Sequence, residues 1–172
     1  MRSIVCDDEA FASLVGQGGL YDHELGEKYV MAPSAGGDHA ALQARVIMAL
    51  GSMVDSAVVL GPTNLGILGQ PGQRWYVVPD AAVIANPPPG ADAYLHAELA
   101  IEIRSPREDM AAKLSDYRAV MERTGLVVEE VWYVDGEAIT VHRRGAAEPA
   151  TTASPELLSV VRQAVTAWLQ RG

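Results

Sequence analysis

The spacing of apolar and polar positions changes period several times along the chain, and each change marks an element. Residues 7–19, DDEAFASLVGQGG, open on acids, place Phe11, Leu14 and Val15 on one stripe and close on Gly18-Gly19, which predicts a short helix. Residues 21–34 predict two short strands turning near Leu25-Gly26, with Pro33 stopping the second. Residues 35–54 predict a longer helix, capped by Asp38, with Leu42, Val46, Met48, Leu50 and Met53 as its apolar positions. β-branched runs broken by turn residues predict two or three strands over 56–85, the last of them spanning 75–84. The prolines of NPPPGAD, 86–92, predict a rigid loop, because they can join neither a ladder nor a helix interior.

The second half is more regular. ELAIEIR, 98–104, alternates, with Leu99, Ile101 and Ile103 on one face and Glu98, Glu102 and Arg104 on the other. Ser105-Pro-Arg-Glu108 reads as a capping box with proline at the first helical position, so the strand is expected to pass directly into a helix. Residues 129–144 predict a hairpin turning at Asp135-Gly136, and 154–170 predict an amphipathic helix started by Ser154, Pro155 and Glu156. Strands grouped between helices predict an α/β or α+β fold, a mixed sheet flanked by helices, preceded by an N-terminal helix and hairpin. No repeat or linker divides the chain, so residues 1–172 are expected to form one domain.

Composition narrows the function classes. The chain is 49% hydrophobic and 20% charged, which excludes disordered and fibrous classes. Asp7, Asp8 and Glu9 interrupt any leader-like apolar core, and no apolar run approaches the ~18 residues of a membrane span. Cys6 is the single cysteine, leaving no internal disulfide and no multi-cysteine zinc site. A cytoplasmic protein without a membrane partner is the expectation. The net charge of −9 argues against broad affinity for nucleic acid. Binding to DNA is therefore expected to be weak and non-specific unless a local cationic patch or a metal ion assists it. Lys28 and Lys113 are the only lysines among 13 basic residues, which makes each more informative than usual.

One constellation carries chemistry. Asp109, Lys113 and Tyr117 recur at i, i+4 and i+8 on the helix predicted after strand 98–104. Side chains lean toward a helix N-terminus, so Lys113 is expected to lean back toward Glu102. Asp80 follows Pro79 in an otherwise apolar run. If the two strands are neighbours, Asp80 and Glu102 converge into a site for a hard divalent cation beside a lysine. Singly, each residue has a plainer reading: a turn acid for Asp80, a solvated strand face for Glu102 and Arg104, a helix-surface ion pair for Lys113 with Asp109. Glu27 reads as a hairpin-surface charge and His39 as a packing histidine.

The succession Tyr21, Gly26-Glu27, Met31-x-Pro33, His39, Pro79-Asp80, Glu102-x-x-Ser105-Pro106, Asp109-x-x-x-Lys113-x-x-x-Tyr117 and Glu130-x-Trp132-x-x-Asp135 resembles the Uma2 family of bacterial proteins. That resemblance implies a restriction-endonuclease-like core of the PD-(D/E)XK type. It further implies a Mg²⁺- or Mn²⁺-dependent endonuclease hydrolysing phosphodiester bonds of DNA. Asp80 and Glu102 would then be catalytic and metal-binding acids, with Glu27 completing the metal site. Arg104 stands where the strand lysine of such a motif falls, and Lys113 on the next helix takes the catalytic place. His39, Arg104, Ser105, Asp109 and Tyr117 would be accessory. Cutting both strands of a duplex implies a homodimer. The alternative from another class is an idle nuclease-fold domain that binds nucleic acid or a protein partner.

Overall fold

The computed structural model describes residues 2–4, 21–24, 27–30, 37–55, 58–63, 65–67, 75–88, 90–91, 93–104, 109–147 and 150–171; side chains before residue 37, and those of Ile67 and Trp75, lie outside that description. The helix expected over 7–19 therefore lies outside the described residues. The hairpin expected after it is present as β2 (Tyr21–Glu24) and β3 (Glu27–Val30), and β1 (Arg2–Ile4) adds antiparallel to β3.

The central sheet has five strands in the order β10-β9-β8-β7-β4, from β4 (Val59–Leu60), β7 (Ala81–Val83), β8 (His96–Ile103), β9 (Val127–Asp135) and β10 (Ala138–Arg143). Only the β8–β9 pair is parallel; the others run antiparallel. A parallel pair needs a crossover, and the helix α2 (Met110–Thr124) supplies it. The helices α1 (Gly37–Gly51) and α3 (Pro155–Leu169) are the other two among the described residues. β5 (Leu65–Ile67) and β6 (Trp75–Val77) pair separately. The run read as a single strand over 75–84 is thus split at Pro79, which has no N–H to give to a ladder.

Two cores sandwich the sheet. Leu42, Val46 and Leu50 of α1 and Val161 and Val165 of α3 pack with Ala81, Val83, Leu99, Ile101, Ile103 and Trp132. On the other face Tyr117 and Val120 of α2 pack with Ala82, Ala100, Val128, Val131 and Tyr133. Each fully buried valine of α3 contributes roughly 1.5–3 kcal/mol. Met48 and Met53, expected among the apolar positions of the first long helix, are exposed instead. The buried stripe repeats every four residues through Leu42, Val46 and Leu50, and Met48 falls off it.

Three boundaries differ from expectation for identifiable reasons. Asp38 lies inside the first turn of α1 and does not precede it. The helix α2 starts at Met110, capped by Asp109, whose carboxylate accepts from the N–H groups of Ala111 and Ala112 at 2.9 and 3.5 Å. The capping box at 105–108 lies outside the described residues, and it is not what starts this helix. Asp135 pairs with Ala138, so the hairpin loop is Gly136-Glu137, with Gly136 (φ 58°) where a two-residue turn needs a positive φ. Among the described residues no helix is long and apolar enough to cross a membrane.

Candidate metal centre between β7, β8 and α2

Covering both faces of β8 changes the meaning of its alternation. From Leu99 to Ile103 every residue is buried, so at Glu102 the face that also carries Glu98 and Arg104 is covered by α2, while those two stay exposed at its ends. Glu102 lies in that stretch with only 2% of its surface exposed. An ionised carboxylate there requires partners, and α2 supplies them from positions four residues apart. Lys113 donates its ammonium to Oε2 of Glu102, and the Tyr117 hydroxyl donates to Oε1 at 2.9 Å.

Asp80 comes from the neighbouring strand. The β7–β8 register pairs Ala81 with Ile101, and the Asp80 N–H donates to the Ile101 carbonyl at 2.9 Å. Asp80 lies one position before that pair, immediately ahead of β7, and its charge acts on the Glu102 carboxyl. The Ile103 N–H donates to Oδ2 of Asp80 at 2.7 Å, and His39 Nε2 lies 2.9 Å from Oδ1. Gln43, one turn along α1 from His39, donates to the backbone carbonyl of Asp80 at 2.7 Å.

The electrostatics follow. Burial pushes the Glu102 carboxyl from an ordinary 4.5 up to about 7. The charge and hydrogen bond of Lys113 oppose that rise, the charge of Asp80 adds to it, and the bond from Tyr117 opposes it. Burial, followed by the charge of Glu102, holds the Tyr117 phenol well above its ordinary range, so it remains a donor. Two acids with one charge penalised by burial and by its neighbour form a place that favours an added cation.

The donor set suits a hard divalent ion. Carboxylate oxygens are its preferred protein ligands, one or two suffice for Mg²⁺, and the remaining positions go to water and phosphate. Among the described residues no group of three or more His, Cys, Asp or Glu side chains gathers closely enough to hold a metal. The protein share of such a site is thus Asp80 and Glu102, together with whatever the Glu27 side chain, outside the described residues, contributes.

The other expected site residues divide. Lys113 and Tyr117 converge on Glu102, and His39 on Asp80. Asp109 does not join them, because its carboxylate is engaged by the α2 N-terminus. Arg104 turns to Asp135, its Nη1 2.5 Å from Oδ2, and both side chains are about half exposed. Ser105 lies outside the described residues. Gln43 was not foreseen, although its spacing of four from His39 on one helix face is the signal that would have found it. Glu130, read only as part of a motif, is a second buried acid on the opposite face of the sheet. It accepts from Trp132 Nε1 and the Thr152 hydroxyl at 2.7 Å each, and from the Ala153 N–H at 2.6 Å.

Comparison with known proteins supports the reading of the fold. A crystal structure from Anabaena variabilis, titled "a putative nuclease belonging to DUF820", superposes with a TM-score of 0.61 at 17% identity. The match covers 88% of this chain and 92% of that one. At that identity the likeness concerns the fold. No curated protein matches the sequence. The profile of Uma2, described as "Putative restriction endonuclease", matches residues 8–169. The chain belongs to the Uma2 family.

Proposed function

We propose that the protein is a nuclease that hydrolyses phosphodiester bonds of DNA with Mg²⁺ or Mn²⁺ held by Asp80 and Glu102. The observation that carries this is the pair itself: two acids from adjacent strands, one of them 2% exposed, beside the only lysine of the second half of the chain. A structural role alone gives no reason to set a second acid against a carboxylate already penalised by burial. The family and the neighbour's title point to the same chemistry.

An ion bound there supplies Lewis-acid chemistry, acidifying water and neutralising charge on a phosphate. The protein's own groups do the rest. Asp80 and Glu102 offer their remaining lone pairs. Lys113 bears the positive charge beside them, 26% exposed, and serves to orient the attacking water or to steady negative charge growing on the phosphate oxygens. Tyr117 holds Glu102 in place without ionising. Glu27 is a further ligand, directly or through water. With a net charge of −9, binding of random duplex is weak and salt-sensitive, and the ion assists it. Cleavage of both strands is served by a twofold pair of chains. The helix α3 is not its obvious contact, since Val161 and Val165 are spent on the core and Leu169 is its one large apolar side chain left exposed.

Calorimetric titration of Mn²⁺ and Mg²⁺ into the full chain, with plasmid cleavage measured in parallel, tests the reading. The wild type should bind and cut. Asp80→Ala and Glu102→Ala should lose both while still melting cooperatively. A wild type that neither takes up heat nor cuts, or an Asp80→Ala variant that binds as before, would sink it.

A further inference from the structure

The helix α1 reaches the candidate site through two side chains, and both end on the same residue. His39 and Gln43 are four apart and share one face of α1. Gln43 fixes the backbone carbonyl of Asp80, and His39 fixes one oxygen of its carboxylate while the Ile103 N–H fixes the other. Besides its own N–H, which donates to Ile101, Asp80 is therefore held at three points, two of them from one helix 41 and 37 residues earlier in the chain.

The second ring nitrogen of His39 decides what the imidazole does. Nδ1 is buried and has no hydrogen-bond partner among the described residues. Were the proton on Nδ1, a buried N–H would be left without an acceptor, which folded proteins strongly avoid, whereas a bare lone pair is tolerated more readily. The proton therefore belongs on Nε2, which donates to Oδ1 of Asp80. In that tautomer Nε2 has no lone pair to give a metal, and none with which to take a proton from water. The carboxylate oxygens keep lone pairs beyond those occupied by His39 and Ile103, and the fixed side chain can aim them in one direction.

We infer that His39, with Gln43, is the positioning residue of the site: α1 locks the rotamer and backbone of Asp80 as a ligand, and the imidazole acts as a hydrogen-bond donor, neither ligand nor base. This rests on Asp80 being a metal ligand. Hydrogen-bond partners of metal-binding carboxylates commonly alter affinity by about 10–100-fold when removed. Glutamine at position 39 would carry an N–H donor at similar reach, yet it can act neither as a base nor as an imidazole ligand.

The test is Mn²⁺ affinity by titration calorimetry on the full chain, with melting curves in EDTA. His39→Ala should weaken Mn²⁺ by about 10–100-fold, His39→Gln should return to within about threefold of wild type, and Gln43→Ala should fall between them. Without metal, the melting shifts of His39→Ala and Asp80→Ala should be non-additive in the double variant, which checks the clasp independently of any ion. If His39→Gln is as weak as His39→Ala, the imidazole itself is required and the donor role is wrong. If His39→Ala binds Mn²⁺ like the wild type while Asp80→Ala does not, the positioning role fails and the metal site stands. If the wild type itself fails to bind, the metal reading falls and takes this inference with it.

Discussion

Glu102 and Glu130 lie on neighbouring parallel strands, exposed by only 2% and 5%, yet they are buried in different ways. Glu130 is closed. Three neutral donors from Trp132, Thr152 and Ala153 hold it against the start of α3, and the nearest guanidinium nitrogen, of Arg143, stands 3.9 Å off. Glu102 is open. It has one donor on each oxygen, one of them a cation, and another acid, Asp80, acting on it through space. Depth of burial does not tell the two acids apart. What separates them is whether hydrogen bonds alone enclose the carboxylate or a cation and a second acid stand beside it.

That contrast can be broken at four points. The largest effect is expected at Lys113, the cation of the open acid. Lys113→Ala should retain Mn²⁺ and lose about 10²–10³-fold in cleavage rate at saturating metal, read from initial rates. An unchanged rate would return Lys113 to a purely structural pairing. At the closed acid, Glu130→Ala should cost about 3 kcal/mol of unfolding free energy in urea, since it strands buried donors, and should leave metal affinity untouched. A loss of metal binding there would erase the distinction between the two sites.

The third test uses pH. The folded-state pKa of Glu102 is raised from 4.5 to about 7, so the stability it contributes is full below 4.5 and is lost as pH rises through about 7. Metal-free Glu102→Gln lacks that loss. Between pH 5 and pH 8 the variant should gain on the wild type by about 2–3 kcal/mol, as judged by denaturant titration in EDTA. Parallel pH profiles would mean that Lys113 and Tyr117 already compensate the charge. The smallest effect belongs to Arg143→Ala, where a half-exposed guanidinium stands beside an acid already satisfied; a change under about 1 kcal/mol is expected. A larger one would show Glu130 depending on its cation as Glu102 does.

Much of this was legible from spacing alone. Leu42, Val46 and Leu50 in the stripe of α1, the hairpin at β9–β10, the start of α3 and the lean of Lys113 back toward Glu102 follow from periodicities that act locally; that Tyr117 on the same face also ends on Glu102 was not read. The neighbour relation of β7 and β8 could be stated only as a condition, because strand pairing is non-local. Burial of Glu102 was open for the same reason: alternation in β8 reports two unlike faces, and only the position of α2 shows that the second is covered at Glu102 while Glu98 and Arg104 stay exposed. The start of α2 was misplaced because Ser105-Pro106 and Asp109 are both adequate beginnings, and the observed cap is the later one. The partner of His39 was invisible, since it lies 41 residues away in the chain.

These separations along the chain have a consequence for the order of assembly. The donors of Glu102 lie 11 and 15 residues from it, inside the single β8–α2 unit, so that half can form with little loop closure. The carboxylate of Asp80 is held from 23 residues ahead and 41 behind, and it reaches its place only when α1, β7 and β8 have all docked. On the proposed reading, a refolding chain would gain its Glu102–Lys113 pair before the ion site is complete. Metal binding would report the last long-range contacts of the fold, with a rate slower than the recovery of helical signal.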